Sequence, residues 1–599
     1  MIVPMKKIAV IVQSKDADSA LRKLRFFGAL HLVETAPVMD KNLAILSDEF
    51  NQLAQAIDIL KKVKSDFGKH RDLERISKWE KDVRELCLRI IDTWKRYLRL
   101  QEFSRELQST IEAWQVWGDF DPVAIQNLAQ KGLNIKLYRL SENKISSLPK
   151  GIVCQRIASR GSVVFCALIS QGPLDIGLKE EGFPRKGLSQ FQEELKENER
   201  TKNSLKEELL FYTQYLDFLN KKKEVLSEEI EFSQVLSSMG GIGVVRYILG
   251  FLPFDLVDEL RRLAKNEGWG LFITEPAEDD PVPTLIRNPR IISWIFPVFK
   301  FIEITPGYNE IDVSFPFLIF LAIFFGIIIG DAGYGLVYFF LTFLAYKRWK
   351  GKLKDLSIFY LAFGLSLFAI VWGLLNATFF GQSWLLARGL RPLIPALGNT
   401  DNIQVLCFFI GAFHLTLAHL LKAFRRFPAW AILADLGWIA ILWSAFFLAQ
   451  NLVLFKPMPN FFKPLLTTGI ILILFYAEPK RGLFRRLGLG LQQILLNLVN
   501  NFTDVVSYIR LFAVGLAGVA IADNFNAMAA GINKNSLWAL FASVLIVVLG
   551  HILNLILAPL SVVIHGLRLN ILEFSQHAGI TWGGKPYRPF KQKPTSLNT

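Results

Sequence analysis

Cysteine is scarce in this 599-residue chain: Cys87, Cys154, Cys166 and Cys407 are all there is. Their spacing matches neither a disulfide framework nor a zinc site. No Gly-rich phosphate loop or other nucleotide motif occurs, so any ATP chemistry is expected of a partner, and no catalytic residue, metal or cofactor is assigned. The opening MIVPMKKIAVIVQ carries no small-residue cleavage site and runs on into charged sequence, so no signal peptide is expected. Long apolar runs are missing up to about residue 310 and dominate from about 313 onward. That imbalance implies one soluble and one membrane half. The net charge of +15 has a plain source in short basic loops between apolar runs, where it orients a membrane protein, and nucleic acid is not expected as a partner.

The run 314–346 is too long for one ordinary span of about 20 residues and short for two. GDAGYG at its centre suits a break, so we read two short spans, 314–329 and 333–347. Further spans are expected at 357–378, 403–422, 430–455 and 464–477, followed by two long stretches, 488–530 and 536–574. With residues 1–310 in the cytoplasm, the inner loops and tail hold sixteen Lys and Arg against five in the outer loops. Eight spans with both termini cytoplasmic satisfy the positive-inside rule, whereas seven would place KRWKGKLK (347–354) outside.

In the soluble half, KIAVIVQ, ADSALRKLRFF and ALHLVE read as strand, helix, strand over 6–34, and 243–274 repeat that order. Two small α/β lobes are expected, each needing a partner sheet, with further strands at 151–170. Two long polar helices, about 41–115 and 188–236, carry apolar residues at steps of three and four: Leu53, Ile57 and Leu60 in the first, Leu205, Leu209 and Tyr212 in the second. They are expected to fold back as a long antiparallel coiled coil reaching on the order of 70–110 Å. The fold class is therefore α+β cytoplasmic lobes on that coiled coil (1–310), then an all-α membrane domain of about eight helices, the last two long and tilted (311–580), and a cytoplasmic tail (581–599).

Two polar stripes cross the last apolar stretches. Gln493, Asn497, Asn500, Asp504, Ser507 and Arg510 follow at helical steps and share one face. Beyond them the face turns small, with Ala513, Ala517 and Gly518, which allows close approach to another protein surface in lipid. His551, Asn554, Ser561, His565 and Arg568 repeat the device. A guanidinium cannot be deprotonated, and at the bilayer centre it costs about 2.5–3.5 kcal/mol or more. Arg510 lies too deep for easy snorkelling, and its offset of six from Asp504 is poor for an intrahelical pair. Arg568 lies nearer the cytoplasmic end and is better placed to snorkel. His414 and His419 read as packing or helix–helix hydrogen bonds, and Asp331 as part of a turn. Both stripes together suggest polar, wet passages.

At these residues the chain resembles the membrane subunit of rotary V-type and archaeal A-type ATPases, called subunit a or subunit I. SYIRLFAVGLA (507–517) is similar to the family's motif around its essential arginine, and IHGLRLNILEF (564–574) to its last-helix motif, with a second arginine at Arg568 and an acid at Glu573. GDAGYGL (330–336), WGLLNATFFG (372–381) and FHLTLAHLL (413–421) resemble its other membrane motifs, and the order of parts matches over essentially the whole chain. Gly518 stands where eukaryotic members have a histidine, and no acid precedes His565 in the last span, so the prokaryotic form is the nearer likeness.

The resemblance implies a non-catalytic stator subunit beside a proteolipid c-ring, held by peripheral stalk subunits and a central-stalk socket and joined indirectly to an ATPase head. It assigns ion translocation to Arg510, Arg568, Ser507, Asp504, His565, His551, Asn554 and Glu573, and implies coupling of H+ or Na+ flow to rotation. The competing reading is an independent secondary ion transporter with a coiled-coil regulatory domain, which predicts internal membrane repeats that the sequence does not display.

Overall fold

The computed structural model describes residues 1–592 except 34–40, 69–81, 146–147, 150, 173–175, 178, 354, 383–388, 390, 480–481 and 533–535. Parts of the loops 347–354, 380–402, 480–486 and 531–535, used above to orient the membrane half, therefore lie outside the described residues, as does the end of the tail. The chain forms two compact units: residues 1–12, 23–33 and 247–591, and residues 13–22, 34–246 and 592–599.

In the first unit, the segments expected to form separate lobes build one sheet instead. β1 (Met5–Gln13), β2 (His31–Leu32), β6 (Val245–Pro253) and β7 (Gly270–Thr274) are ordered β2-β6-β1-β7. β1 and β7 run antiparallel from Lys7 opposite Thr274 to Ile11 opposite Gly270, and His31 and Leu32 of β2 oppose Phe251 and Gly250 of β6. Each echo half is thus the partner sheet that the other needs. Alternation along β1 buries Ile8, Val10 and Val12, as a half-buried strand requires. The chain's last described residues return to this sheet: the Phe590 N–H donates to Leu30 O, the Tyr587 N–H to Thr284 O, and Lys585–Pro586 pairs with Pro283–Thr284.

The second unit contains a helical body and a small sheet. α2 (Lys41–Phe67) and α3 (Val83–Trp114) replace the single helix expected over 41–115. α4 (Leu188–Tyr212) and α5 (Leu216–Ser238) follow one another through a 3₁₀ turn at Thr213–Tyr215. Lys206 lies over the Phe67 ring and Lys223 over Phe50, so α2 runs antiparallel to α4 and α5. Ser104 and Asp119 meet Asn198 and Ser189, giving the same sense for α3 and α4. The apolar steps read in the sequence form the shared core, with Leu53, Ile57, Leu60, Leu86, Ile90, Leu209 and Leu219 buried. With its 32 residues α3 spans about 48 Å, so the expected reach fails for the first arm because it is two helices. A separate small sheet, β3-β5-β4, is built from β3 (Asn134–Ser141), β4 (Val153–Arg160) and β5 (Val163–Ser170), the last two being the further strands expected at 151–170.

The apolar part of the first unit is all helical. Among the described residues five helices are long and apolar enough to cross a membrane: Ser357–Asn376 (α9), Thr400–Arg426 (α10), Ile432–Leu454 (α11), and the composite stretches Leu483–Gly531 and Leu537–Ala578. Shorter apolar helices lie at Ser314–Ile329 (α7) and Phe462–Tyr476 (α12), and α8 is Ala332–Trp349, with Lys347 and Arg348 in its last turn. α7 is apolar all round and forms the centre. Phe317, Phe324 and Ile328 pack there against Phe408, Ala412, Tyr508 and Leu511, as expected for a helix without a polar face.

GDAGYG acts as a stop and a start. Gly330 ends α7 in the left-handed region, at φ +68°, which favours glycine. Asp331, 1 % exposed, then caps α8. Its Oδ1 accepts from the N–H groups of Gly333 and Tyr334 at 2.7 and 3.2 Å, and its Oδ2 from the Gly381 N–H at 2.9 Å. Asp331 is thus the turn residue expected, and it also ties α8 to the loop after α9. Removing this carboxylate leaves three buried donors without a partner, at about 1–3 kcal/mol each for the unpaired group. Asp331→Ala should lower the thermal midpoint of the detergent-solubilised protein by several degrees, and Asp331→Asn by less. An unchanged midpoint would show the carboxylate to be idle.

Candidate functional site

The composite stretch Leu483–Gly531 is broken at Tyr508, between α13 (Leu483–Ser507) and α14 (Ile509–Gly531). Around the break the N–H groups of Tyr508 and Leu511 bond back only three residues, to Val505 and Tyr508, the tighter pattern of a 3₁₀ turn. The fully buried Tyr508 fixes the joint, with its hydroxyl 2.8 Å from His414 Nδ1. Arg510 therefore stands at the start of a helix rather than in the middle of one. Its Nε donates to Ser507 O at 2.9 Å.

Facing it, α15 (Leu537–Ser561) carries Pro559 inside its last turn and gives way to π-helical segments at Val562–Gly566 and Leu569–Phe574, then to the short α16 (Ser575–Ala578). Proline removes a backbone donor and clashes with the preceding turn, and a wider turn relieves both. The i→i+5 bonding of a π turn also brings residues five apart toward one face. Arg568 and Glu573 are such a pair: Arg568 Nε is 3.6 Å from Glu573 Oε1. Arg510 Nη2 donates to that same oxygen at 2.6 Å. The Glu573 side chain is only 6 % exposed, against 22 % for Arg510 and 55 % for Arg568. A 3.6-residue period does not foresee this constellation. The last-helix motif pointed to Glu573, but its partnership with Arg510 had no signal other than Pro559.

The remaining expected residues fall into two groups. His551 bonds through Nδ1 to the Tyr334 hydroxyl at 2.6 Å and through Nε2 to Asn526 Oδ1 at 3.2 Å. Asn526 in turn donates to Phe380 O, and Asn554 donates to Gly518 O, both at 2.8 Å. Asp504 belongs elsewhere. It does not pair with Arg510; its Oδ2 is 3.0 Å from His577 Nε2. Ser507 donates to the Asp504 carbonyl. His565 is half-buried and makes no hydrogen bond among the described residues.

Asp504 is the end of a line that the sequence did not disclose. His577 Nδ1 is 2.9 Å from His419 Nε2. His419 Nδ1 stands 3.8 Å from Asp435 Oδ1, and Arg426 and Lys422 lie 3.2 and 3.8 Å from the carboxylate of Asp435. His419 is therefore a helix–helix contact as expected, but within a chain of titratable groups. His414 is a packed residue, stacked between Phe320 and Phe574 with centroids 3.9 and 4.4 Å away.

The chain has clear relatives. It is 30% identical over 625 residues to the V-type ATP synthase subunit I 1 of Treponema pallidum, covering 99% of this chain and 100% of that protein. It is also 30% identical over 615 residues to the V-type ATP synthase subunit I of Borreliella burgdorferi, again over 99% and 100%. The A-type ATP synthase subunit I of Methanocaldococcus jannaschii is 27% identical over 462 residues, covering 69% of this chain and 64% of that one. A crystal structure of the cytoplasmic N-terminal domain of subunit I, a homolog of subunit a of V-ATPase, matches at 13% identity and a TM-score of 0.22, over 45% of this chain and 100% of that one, too low to carry an argument. No protein-family model matches. End-to-end identity at this level, with five helices among the described residues fit to cross a membrane, makes this chain a member of the V-type and A-type ATP synthase subunit I family.

Proposed function

We propose that this chain is the stator membrane subunit of its rotary ATPase, and that Arg510 is the fixed charge past which a proteolipid c-ring turns. One observation carries the reading: Arg510 is held by a buried acid from within the chain while part of its guanidinium still faces outward, on a helix face that turns small at Ala513 and Ala517. A fixed cation lowers the pKa of an opposing ring carboxylate and favours ion release. It also bars direct passage between two half-channels, so an ion travels round on the ring. Ser507, Asp504, Arg568, Glu573, His565, His551 and Asn554 line or support those passages. The chain itself hydrolyses no nucleotide in this scheme.

The accompanying architecture is a cytoplasmic domain (1–310), a membrane domain of eight spans (311–580) and a tail (581–599), with both termini cytoplasmic in the cell membrane. The cytoplasmic domain holds the peripheral stalk and the central-stalk socket and passes torque to the ATPase head. Side-specific labelling tests the spans. Lys352→Cys should react with an impermeant maleimide only from the cytoplasm, and Leu393→Cys only from outside. Reaction of both from one side would remove the eight-span arrangement.

ATP-driven ion uptake into vesicles, normalised to assembled complex, tests Arg510. Arg510→Ala should abolish coupled transport while assembly persists, and Arg510→Lys should fail or nearly fail, because an ammonium is compact, strongly hydrated and readily neutralised on burial. Arg568→Ala should be milder, in keeping with its greater exposure. Retention of more than about half of normal uptake by Arg510→Ala would leave a charge of such cost in lipid without the barrier role.

A further inference from the structure

This inference rests on the ion-translocation reading and adds to it the identity of the ion. Four separate helices, α13, α16, α10 and α11, each contribute one titratable group to a single line: Asp504, His577, His419 and Asp435. The contacts run Asp504 Oδ2 to His577 Nε2 at 3.0 Å, His577 Nδ1 to His419 Nε2 at 2.9 Å, and His419 Nδ1 to Asp435 Oδ1 at 3.8 Å. Both imidazoles and Asp435 are buried, and Asp504 is the most exposed member at 19 %. A helix staple would be complete with one histidine on one acid. Here two imidazoles stand in series, and both nitrogens of His577 are in use. His419 Nδ1 is buried without a hydrogen bond while pointing at a carboxylate.

We propose that Asp504, His577, His419 and Asp435 form a relay that passes protons and excludes sodium, so that H+ is the ion this subunit carries on the Asp504 side of Arg510. In one passage, the O–H bond of a protonated Asp435 breaks as an N–H bond forms at His419 Nδ1. The proton on His419 Nε2 moves to His577 Nδ1, and that on His577 Nε2 moves to Asp504 Oδ2. One proton has then gone from Asp435 to Asp504, and both imidazoles are neutral again in the opposite tautomer, which is reset as each ring loses its proton from Nδ1 and binds one at Nε2. The reverse sequence serves the reverse direction. The 3.8 Å link is too long for a hydrogen bond and closes by a small turn of the His419 ring. Arg426 and Lys422 stand beside Asp435 at 3.2 and 3.8 Å. Sodium has no place on this line. A hard cation needs several oxygen ligands, and a direct nitrogen-to-nitrogen contact of 2.9 Å has neither room nor ligands for it.

A cavity lies close to the relay: a Cβ at Gly579 would stand 3.9 Å from Lys422 Cε, and Gly579 lines a cavity of about 1010 Å³ together with Arg425, Glu275, Glu278, Asp280 and Glu310. Lys585 lines it too, and Asp280 and Glu275 are paired with Lys7 and Lys6, so the cavity is polar with charges of both signs.

The test uses the assembled complex in phosphatidylcholine–phosphatidylglycerol vesicles, with ATP-driven uptake read both as internal acidification in sodium-free buffer and as radioactive sodium accumulation. The relay predicts acidification without sodium accumulation, and a loss of about tenfold or more in acidification for His577→Gln and for His419→Gln at equal assembly. It further predicts partial recovery of His577→Ala by added imidazole, which a merely structural histidine would not give. Sodium accumulation indifferent to both histidines, or undiminished acidification in both variants, overturns the relay and leaves the stator reading standing. Uptake of neither ion by the wild-type complex overturns the stator reading itself. Should the variants fail to assemble, the wild-type complex decides: acidification slowed in deuterium oxide supports proton transfer along the line, and acidification insensitive to it overturns the relay.

Discussion

A permanent positive charge in hydrocarbon needs a counter-charge, and the pair between Arg510 and Glu573 is the constraint around which the membrane half is built. Taking each ion out of water costs several kcal/mol, which attraction offsets only where the geometry is good. A contact of 2.6 Å from a guanidinium to a carboxylate meets that condition. The pair is unequal, because Glu573 is buried and Arg510 is partly open. With Arg568 beside the same oxygen, two cations share one anion and a net positive charge remains. On the proposed reading, that residue of charge is what an outside carboxylate meets.

The backbone around the pair departs from regular helix on both sides, and each departure has a chemical cause. Tyr508, pinned by His414, interrupts one helix two residues before Arg510. Pro559 opens the other into π turns that align Arg568 with Glu573. Close packing holds the arrangement. A Cβ at Gly515 would come 2.4 Å from Ile327 O, so α14 lies directly on the buried centre, α7, and larger residues there would push Arg510 away. The first unit is closed at its other end too. The amino terminus is 2.8 Å from Asp312, two residues before α7, and the returning tail bonds to β2 and its approach at Leu30.

What could be read beforehand follows from which interactions are local. Apolar runs, the GDAGYG break and the stripe from Gln493 to Arg510 are periodic features of single helices, and they stand in the sequence directly. Long-range pairing is not periodic. Residues 6–34 and 243–274 each read as strand, helix, strand, yet nothing within either segment disclosed that the other was its partner. The arm expected over 41–115 carries unbroken apolar steps at Leu53 to Leu60 and Leu86 to Trp94, so its division into two helices lay hidden. Asp504 and Arg510 share a face, but their partners, His577 and Glu573, come from a segment whose helical period changes at Pro559. A reading at constant period placed His565 in the stripe and left His577 out.

The order of groups along the two helical stretches bears on coupling. On Leu483–Gly531, Asp504 precedes Arg510 by six residues, while Gly518 and Asn526 follow it by eight and sixteen. At a rise of 1.5 Å per residue these lie roughly 9 Å to one side and 12 to 24 Å to the other. On the facing stretch the order inverts: His551 and Asn554 come before Arg568 and Glu573, and His577 after. The His551 network and the Asp504 line thus sit on opposite sides of the charged pair, and they share no residue among those described. A single continuous passage would carry polar groups through the level of Arg510. Here that level is occupied by the guanidinium, its buried acid and the aromatic packing of Tyr508, His414 and Phe574. On the proposed reading, an ion reaching this level from either side meets a positive charge with no neutral form. The cheaper route is then to leave the subunit and rejoin it beyond the barrier, and that detour is what ties ion flow to the movement of a partner.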